Sequence, residues 1–242
     1  MTLAGQIRKQ IDKLSEGKSF GYADLGIANI NYQTAAKVLE RFQKEGKIKK
    51  LSKGVFYKPV KTVFGELKPD YSDQLNQYLF KNGKRIAYET GTSLYNRLGL
   101  TTQMAFRIKI ASRSHRISIN RGALKADAVK SYAEVTDKNY ELLGILDAFK
   151  DIKTIPDSNV ATSLAILTSK IKKLTDKQIA EMVAYALLYP ARVRALLGAV
   201  LENMGKEAKS ILSLKKNLNP LTKINLGLKP AHLPTIHNWN IV

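Results

Sequence analysis

The chain has 242 residues, 44% hydrophobic and 25% charged, a composition that excludes a disordered chain and suffices for a sizeable core. It contains no cysteine, which excludes disulfides, thiol catalysis and cysteine-ligated zinc. Forty Lys and Arg residues outnumber twenty Asp and Glu residues, so the formal net charge is +20. This balance predicts a polyanionic partner: nucleic acid first, with an anionic membrane or an acidic protein as the alternatives.

Membrane insertion and export are not expected for this chain. No apolar run approaches the roughly 20 residues of a membrane-spanning helix. The first residues lead directly into a charged, amphipathic segment, which is not typical of a signal peptide. We therefore expect a cytoplasmic protein without a membrane partner.

The positive charge is densest in residues 1–61, which hold thirteen basic and five acidic side chains. The balance is +8 in this segment, +4 in residues 62–151 and +8 in the longer segment 152–242. A solvated, lysine-rich surface is the simplest explanation of such a density. The order of the structural elements within residues 1–61 favours a more specific explanation, a nucleic-acid-binding surface.

Residues 1–61 carry the periodicity of a helix, a short helical turn, a second helix and a β-hairpin. The predicted elements are a helix from Leu3 to Leu14, a turn around Asp24, a helix over residues 32–45 with Asn31 as its N-cap, and a hairpin of residues 47–51 and 55–58. This order is typical of a winged helix-turn-helix. We therefore predict such a domain over residues 1–61.

The second helix and the hairpin of this domain fit a DNA duplex. A recognition helix enters the major groove with its first side chains at the base edges, and a basic hairpin rests on the flanking phosphates. The predicted DNA-contacting residues are Tyr32, Gln33, Thr34, Lys37 and Arg41 on the helix and Lys49, Lys50 and Lys53 on the hairpin. The alternative is a winged helix that docks a protein, with hairpin lysines that are merely solvated.

Residues 62–209 are predicted to form a second domain, and residues 210–242 an extended arm. The predicted helices cover residues 71–80, 92–98, 139–149, 159–173, 176–188 and 190–206, and the predicted strands cover residues 85–88, 106–111, 116–119 and 129–132. Strands 106–111 and 116–119 are expected to pair with each other. The fold is thus predicted to be α+β: an N-terminal winged helix-turn-helix followed by a mixed α+β domain with a helical C-terminal part.

The arm after Ser210 contains three prolines and little periodicity. A free tail does not normally carry a tryptophan and several aliphatic residues, because exposed apolar groups promote aggregation. We therefore expect Trp239 and its neighbours to be pinned on the chain's own C-terminal helices or on a second copy of the chain.

No catalytic, cofactor or metal site is predicted. Asp147 and Asp151 lie four residues apart, but nearby lysines favour a solvated helix edge over a catalytic carboxylate pair. The serines beside His115 fit a polar hairpin tip better than a catalytic triad, and the three histidines do not form a metal motif. We expect a protein that is not an enzyme; the enzyme alternative is a nucleic-acid-modifying site assembled in the middle domain.

Several blocks of the sequence resemble one protein family over roughly residues 1–205. They are residues 6–8, 20–25, 51–59, 64–67, 88–103, 146–153 and 189–198. The most specific block, 88–103, reads YETGTSLYNRLGLTTQ. On these blocks the chain is similar to the AbiEi-like antitoxins, winged-helix transcriptional regulators of bacterial abortive-infection and toxin–antitoxin operons. Ala105 departs from the pattern, since a proline is expected there.

The resemblance implies an N-terminal DNA-binding domain, repression of the protein's own operon, and an antitoxin domain that opposes a nucleotidyltransferase-like toxin. The candidate residues of that second domain are Tyr95, Arg97, Gln103 and Arg194. They either face the toxin or a ligand, or belong to a structural core with charge-paired arginines. The alternative function is an antitoxin that acts mainly on its toxin or on the toxin's RNA substrate, with DNA binding secondary. Both functions allow an oligomer.

Overall fold

In a computed structural model of the protein we describe residues 2–27, 32–63, 65–67, 69–121, 124–206 and 208–242. The chain divides into two compact units, Met1–Lys84 and Arg85–Val242. The sequence-based boundary was placed after Lys61, whereas the structural division falls after Lys84. Both units mix helices with small sheets, so the fold is mixed α+β.

The first unit contains three helices and several short strands within its described residues. In chain order they are α1 (Leu3–Lys13), β1 (Ser19–Gly21), α2 (Tyr32–Lys44), β2 (Lys49–Ser52), β3 (Val55–Tyr57), β4 (Val60–Thr62), β5 (Gly65–Leu67), α3 (Tyr71–Leu79), β6 (Phe80–Lys81) and β7 (Lys84–Arg85). Strands β1, β3 and β2 form an antiparallel sheet in that order. Strands β4 and β5 form a separate hairpin, and so do β6 and β7.

The core of the first unit lies between α1, α2 and the three-stranded sheet. Apolar residues three and four apart place one face of each helix inward. The buried residues are Ile7 and Ile11 of α1, Ala35, Val38, Leu39 and Phe42 of α2, and Phe20, Leu25, Ile48 and Phe56. The predicted N-cap Asn31 lies outside the described residues, and α2 ends at Lys44, just before Gly46.

Helix α3 belongs to the first unit because it is tied to the sheet by side-chain hydrogen bonds. The Ser19 hydroxyl donates to the Asp73 carbonyl at 2.9 Å, and the Ser52 hydroxyl donates to Gln77 Oε1 at 2.6 Å. Asp70 caps the helix by accepting from the Asp73 backbone N–H at 2.8 Å. A boundary after Lys61 would cut through this packed structure.

The second unit combines a four-stranded sheet with a set of helices. Its elements are β8 (Tyr88–Thr90), α4 (Thr92–Arg97), β9 (Ile108–Ser112), β10 (Ile119–Arg121), β11 (Leu124–Lys130), α5 (Tyr140–Asp151), α6 (Val160–Ile171), α7 (Asp176–Ala186), α8 (Ala191–Asn203), α9 (Ala208–Lys216) and a 3₁₀ helix (Pro234–Trp239). Helices α4 to α8 follow the predicted ones to within three residues at each end. No helix of the described residues combines the length and apolar character needed to cross a membrane.

The sheet of the second unit has the order β10-β11-β9-β8. The expected pairing of strands 106–111 and 116–119 is wrong, because β11 lies between β9 and β10. Strand β11 pairs with β9 in parallel, with Ala126 opposite Ile108, and β10 pairs with β11 in an antiparallel hairpin. This arrangement places the longest strand, which buries Leu124 and Ala126, in the interior of the sheet.

The C-terminal arm is packed on α8, which confirms the prediction that it is pinned on the chain's own helices. Trp239 is 1% exposed, and a Cβ on Gly198 would lie 2.1 Å from its ring, so the indole rests directly on the helix backbone. Its Nε1–H donates to the Glu202 carboxylate, and the Thr235 hydroxyl donates to the Ala199 carbonyl at 2.6 Å. The arm is less extended than predicted, because it contains α9 and the 3₁₀ helix.

Truncating Trp239 is expected to destabilise the second unit. Trp239→Ala leaves a large cavity beside Gly198 and should lower the free energy of unfolding by about 3–5 kcal/mol. Leu221→Ala is the matched control, because Leu221 lies in the same arm but is 89% exposed. Chemical denaturation followed by circular dichroism measures both variants. Equal unfolding midpoints for the wild-type protein and Trp239→Ala would contradict the packed arm.

Candidate nucleic-acid interface

Helix α2 separates its residues into a buried face and an exposed face. Gln33, Thr34, Lys37 and Arg41 are all exposed, as predicted from their spacing. The Arg41 guanidinium lies 5.8 Å from the centre of the Phe42 ring and 3.7 Å from Glu45. Arg41 is therefore engaged near the C-terminal end of the helix, whereas Gln33 and Thr34 lie in its first turn and Lys37 near its middle.

The β2–β3 hairpin presents exposed lysines beside a tight turn. Lys49, Lys50 and Lys53 are exposed, and Gly54 at the turn has a φ of 77°. That left-handed conformation is readily adopted by glycine and strained for residues with a Cβ. The register of the pairing shifts between Lys50 and Ser52, an irregularity of the kind that a β-bulge produces.

Two tyrosines bring the start of α2 to the turn of the hairpin. The rings of Tyr22 and Tyr32 are stacked with centroids 4.1 Å apart, and burial followed by the neighbouring Tyr32 raises the pKa of Tyr22. A Cβ on Gly54 would lie 3.7 Å from both the Tyr22 ring and the Tyr32 hydroxyl oxygen. The first turn of α2 and the hairpin turn therefore form one continuous surface, with Tyr32 46% exposed.

The predicted cations differ in whether an acidic group neutralises them. Lys49 forms an ion pair with Glu66, whose hydrogen bond raises the pKa of the lysine, and Arg41 pairs with Glu45. Within the described residues, Lys37, Lys50 and Lys53 form no ion pair. These three lysines are therefore the cations of the surface that no acidic side chain of the described residues neutralises.

The four candidate residues of the second unit do not form one surface. Tyr95 is buried, and its hydroxyl donates to Asp151 Oδ2 at 2.7 Å. Arg97 pairs with the buried Glu89, and Gln103 is exposed, with its carbonyl accepting from the Asn96 amide. Only Arg97 of the two candidate arginines is charge-paired within the described residues.

Arg194 instead contacts the backbone. Its Nη1 donates to the Tyr189 carbonyl, and its Nε is buried without a hydrogen-bond partner among the described residues. The Tyr189 side chain in turn reaches the same carboxylate network as Tyr95, so Tyr95 and Arg194 are connected through buried groups rather than across a binding surface.

Asp147 is the centre of that network, and the interpretation of it as a solvated helix edge is wrong. The residue is 3% exposed. The Tyr88 and Thr90 hydroxyls each donate to Oδ2 at 2.7 Å, and the Tyr189 hydroxyl donates to Oδ1 at 3.1 Å. Lys150 Nζ lies 3.7 Å from Oδ1. Residues 142–149 are all buried, and the sequence signal for this was the otherwise apolar run around Asp147.

Burial dominates the electrostatics of this network. It raises the pKa of Asp147, against the lowering effects of Lys150 and the hydroxyl donors. Burial and then the neighbouring carboxylates raise the pKa of Tyr88, Tyr95 and Tyr189, so these hydroxyls keep their protons and act as donors. Within the described residues, no group of three or more His, Asp or Glu side chains could hold a metal ion.

Removing the acceptor at the centre of the network is expected to be costly. Asp147→Ala leaves three buried hydroxyl donors without their acceptor, which should lower the free energy of unfolding by about 3 kcal/mol. Tyr88→Phe removes one donor and should cost about 1 kcal/mol. Asp12→Ala, which changes an exposed helical carboxylate, serves as the control in the same denaturation experiment. A loss for Asp147→Ala no larger than for Asp12→Ala would contradict the network.

Comparison with known proteins identifies a family and a similar fold. A model for DUF6088, described as a family of unknown function, matches residues 6–182. No curated protein matches the chain significantly. The crystal structure of the RV2827C protein from Mycobacterium tuberculosis is similar with a TM-score of 0.51, covering 90% of this chain and 82% of that chain at 11% identity. At that identity the likeness concerns the fold alone.

Proposed function

Since the chain belongs to the DUF6088 family, which has no known function, we propose one from its geometry: a transcriptional regulator that binds double-stranded DNA through α2 and the β2–β3 hairpin. The observation that carries the proposal is the continuous surface formed by the start of α2 and the hairpin turn. Lys37, Lys50 and Lys53 project from these two elements without an acidic partner in the described part of the chain. A cationic surface built on a helix suits the major groove of a duplex.

The proposed domain is a winged helix-turn-helix. The order helix, strand, turn, helix, hairpin and the sheet order β1-β3-β2 support this assignment. The turn after β1 has backbone hydrogen bonds from Leu25 to Tyr22 and from Gly26 to Ala23. In this arrangement α2 is the recognition helix and the β2–β3 hairpin is the wing.

The proposed contacts divide into base reading and phosphate binding. Gln33 and Thr34 lie at the start of α2, where side chains reach base edges, and an amide can pair with an adenine through two hydrogen bonds. Lys37 on the helix and Lys50 and Lys53 on the wing bind phosphates, which fix the position of the protein but carry no sequence information. Tyr32, which is 46% exposed, adds its hydroxyl as a further phosphate donor.

The phosphate contacts predict a strong salt dependence of binding. In titrations of the full chain with its own promoter duplex, log affinity should fall with log salt, and Lys50→Ala with Lys53→Ala should reduce the magnitude of the slope by about 2. The control pair is Lys172→Ala with Lys177→Ala, which removes two exposed lysines of the second unit. A slope unchanged by the wing variants, or reduced equally by the control pair, would contradict this interface.

The same titrations test base reading. Gln33→Ala should cost about 1–3 kcal/mol on the preferred duplex and little on a scrambled one. Gln10→Ala, an exposed glutamine on α1, should have no effect on either duplex. Equal losses for Gln33→Ala on both duplexes would assign base reading to another residue.

We further propose that this regulator is the antitoxin of a toxin–antitoxin pair and represses its own operon. The support is the resemblance of residues 88–103 and the neighbouring blocks to AbiEi-like antitoxins. Co-expression with a nucleotidyltransferase-like protein encoded next to the gene should relieve the growth arrest that this toxin causes. Growth arrest that persists when residues 1–242 are present in soluble form would refute the antitoxin role and leave the DNA-binding proposal standing.

A further inference from the structure

The proposed DNA interface leaves most of the positive charge unexplained. Residues 1–84 hold sixteen basic and eight acidic side chains, whereas residues 85–242 hold twenty-four and twelve, a balance of +12. The excess charge of the second unit is therefore either spread over a solvated surface or concentrated at a site for an anionic partner. One part of this charge is gathered around a cavity.

The cavity lies where β9 and β11 end. These strands run in parallel, with Ser112 opposite Lys130 in the last pair, so both chains leave the sheet at the same edge. Chains that diverge from one edge of a sheet leave a crevice there, which is where parallel sheets commonly bind ligands. The cavity has a volume of about 340 Å³ and is lined by residues 112–116 and 128–130.

The lining is cationic and contains no carboxylate. Arg113, Arg116 and Lys130 supply three positive charges. Arg113 Nη1 donates to the Ser131 carbonyl at 3.3 Å, which holds this arginine at the rim. Arg116 and Lys130 are exposed and have no ion-pair partner within the described residues. Glu134 is not a lining residue, but its carboxylate accepts from the hydroxyl of the lining residue Ser114 at 2.6 Å.

We propose that this cavity binds a phosphomonoester, carried either by a free mononucleotide or by the phosphorylated end of a single nucleic-acid strand. A phosphomonoester bears about −1.5 to −2 charges at neutral pH, which matches three cations better than the single charge of a backbone diester does. Arginine presents a planar fork of donors to two phosphate oxygens. The volume is at the lower end of the roughly 300–1,000 Å³ of small-ligand pockets, so it suits one terminal nucleotide and not a duplex.

The inference goes beyond the proposed function, because it concerns a different unit of the chain and a different ligand. It is tested with the full chain and three versions of one short, internally labelled single-stranded oligonucleotide: 5′-phosphorylated, 3′-phosphorylated and unphosphorylated. At least one phosphorylated version should bind about tenfold more tightly than the unphosphorylated one, as expected for charge-assisted hydrogen bonds to a phosphate. Competition with a 5′-mononucleotide and with inorganic phosphate then distinguishes a free nucleotide from a strand end as the source.

Matched variants connect the preference to the cavity. Arg116→Ala with Lys130→Ala should abolish the preference for a terminal phosphate, and both residues are exposed, so the melting temperature should stay unchanged. Arg192→Ala with Lys109→Ala removes the same two kinds of cation from exposed positions outside the lining and should retain the preference. The wing variants Lys50→Ala and Lys53→Ala should also retain it while they weaken duplex binding.

Two results would overturn the inference. One is equal binding of phosphorylated and unphosphorylated strands by the wild-type chain. The other is an equal loss of preference in the Arg116/Lys130 and Arg192/Lys109 variants, which would show that diffuse charge and not the cavity attracts the phosphate. Either result leaves the duplex titrations unaffected, so failure here is distinguishable from failure of the proposed DNA-binding function.

Discussion

The hydrogen bonds to Asp147 organise the second unit. One buried carboxylate accepts from β8 through Tyr88 and Thr90 and from the chain before α8 through Tyr189, while Tyr95 ties α4 to the last turn of α5 through Asp151. A buried carboxylate is stabilising only when its oxygens are satisfied, so the sheet edge, α4, α5 and α8 must hold these groups in place together. The network thus fixes how the helices lie on the sheet. Aliphatic side chains alone would specify this arrangement less well, because they can exchange places in a core.

A different constraint shapes the first unit. Its core takes one face of α2, and the opposite face remains free for charged and polar side chains. The contact of Tyr22 and Tyr32 with Gly54 then joins the start of the helix to the hairpin turn. The exposed lysines are therefore presented from two backbone elements whose spacing is fixed by the stacked tyrosines and the packed core beneath α2.

The helices were predictable from the sequence because their apolar periodicity is local. The spacing of Ala35, Val38 and Phe42, for example, is recognisable within eight residues of the sequence. The pairing of β9 with β11 was not predictable, because these strands are not consecutive in the sequence. They pair in parallel although β10 lies between them along the chain. Asp147 was misassigned for the same reason: its hydroxyl partners lie more than forty residues away in both directions. The exposed side chains of α2 were predictable, whereas the cavity at the ends of β9 and β11 exists only once that pairing is known.

The contact between Gly198 and Trp239 makes two distant positions depend on each other. The indole lies where any side chain at position 198 would begin, so a larger residue at 198 is compatible only with a smaller one at 239. As the sequence evolves, positions 198 and 239 must therefore change together, or the indole at 239 must be replaced before the glycine at 198. Both positions lie beyond the matched residues 6–182, so this coupling between α8 and the 3₁₀ helix belongs to the part of the chain outside the family match.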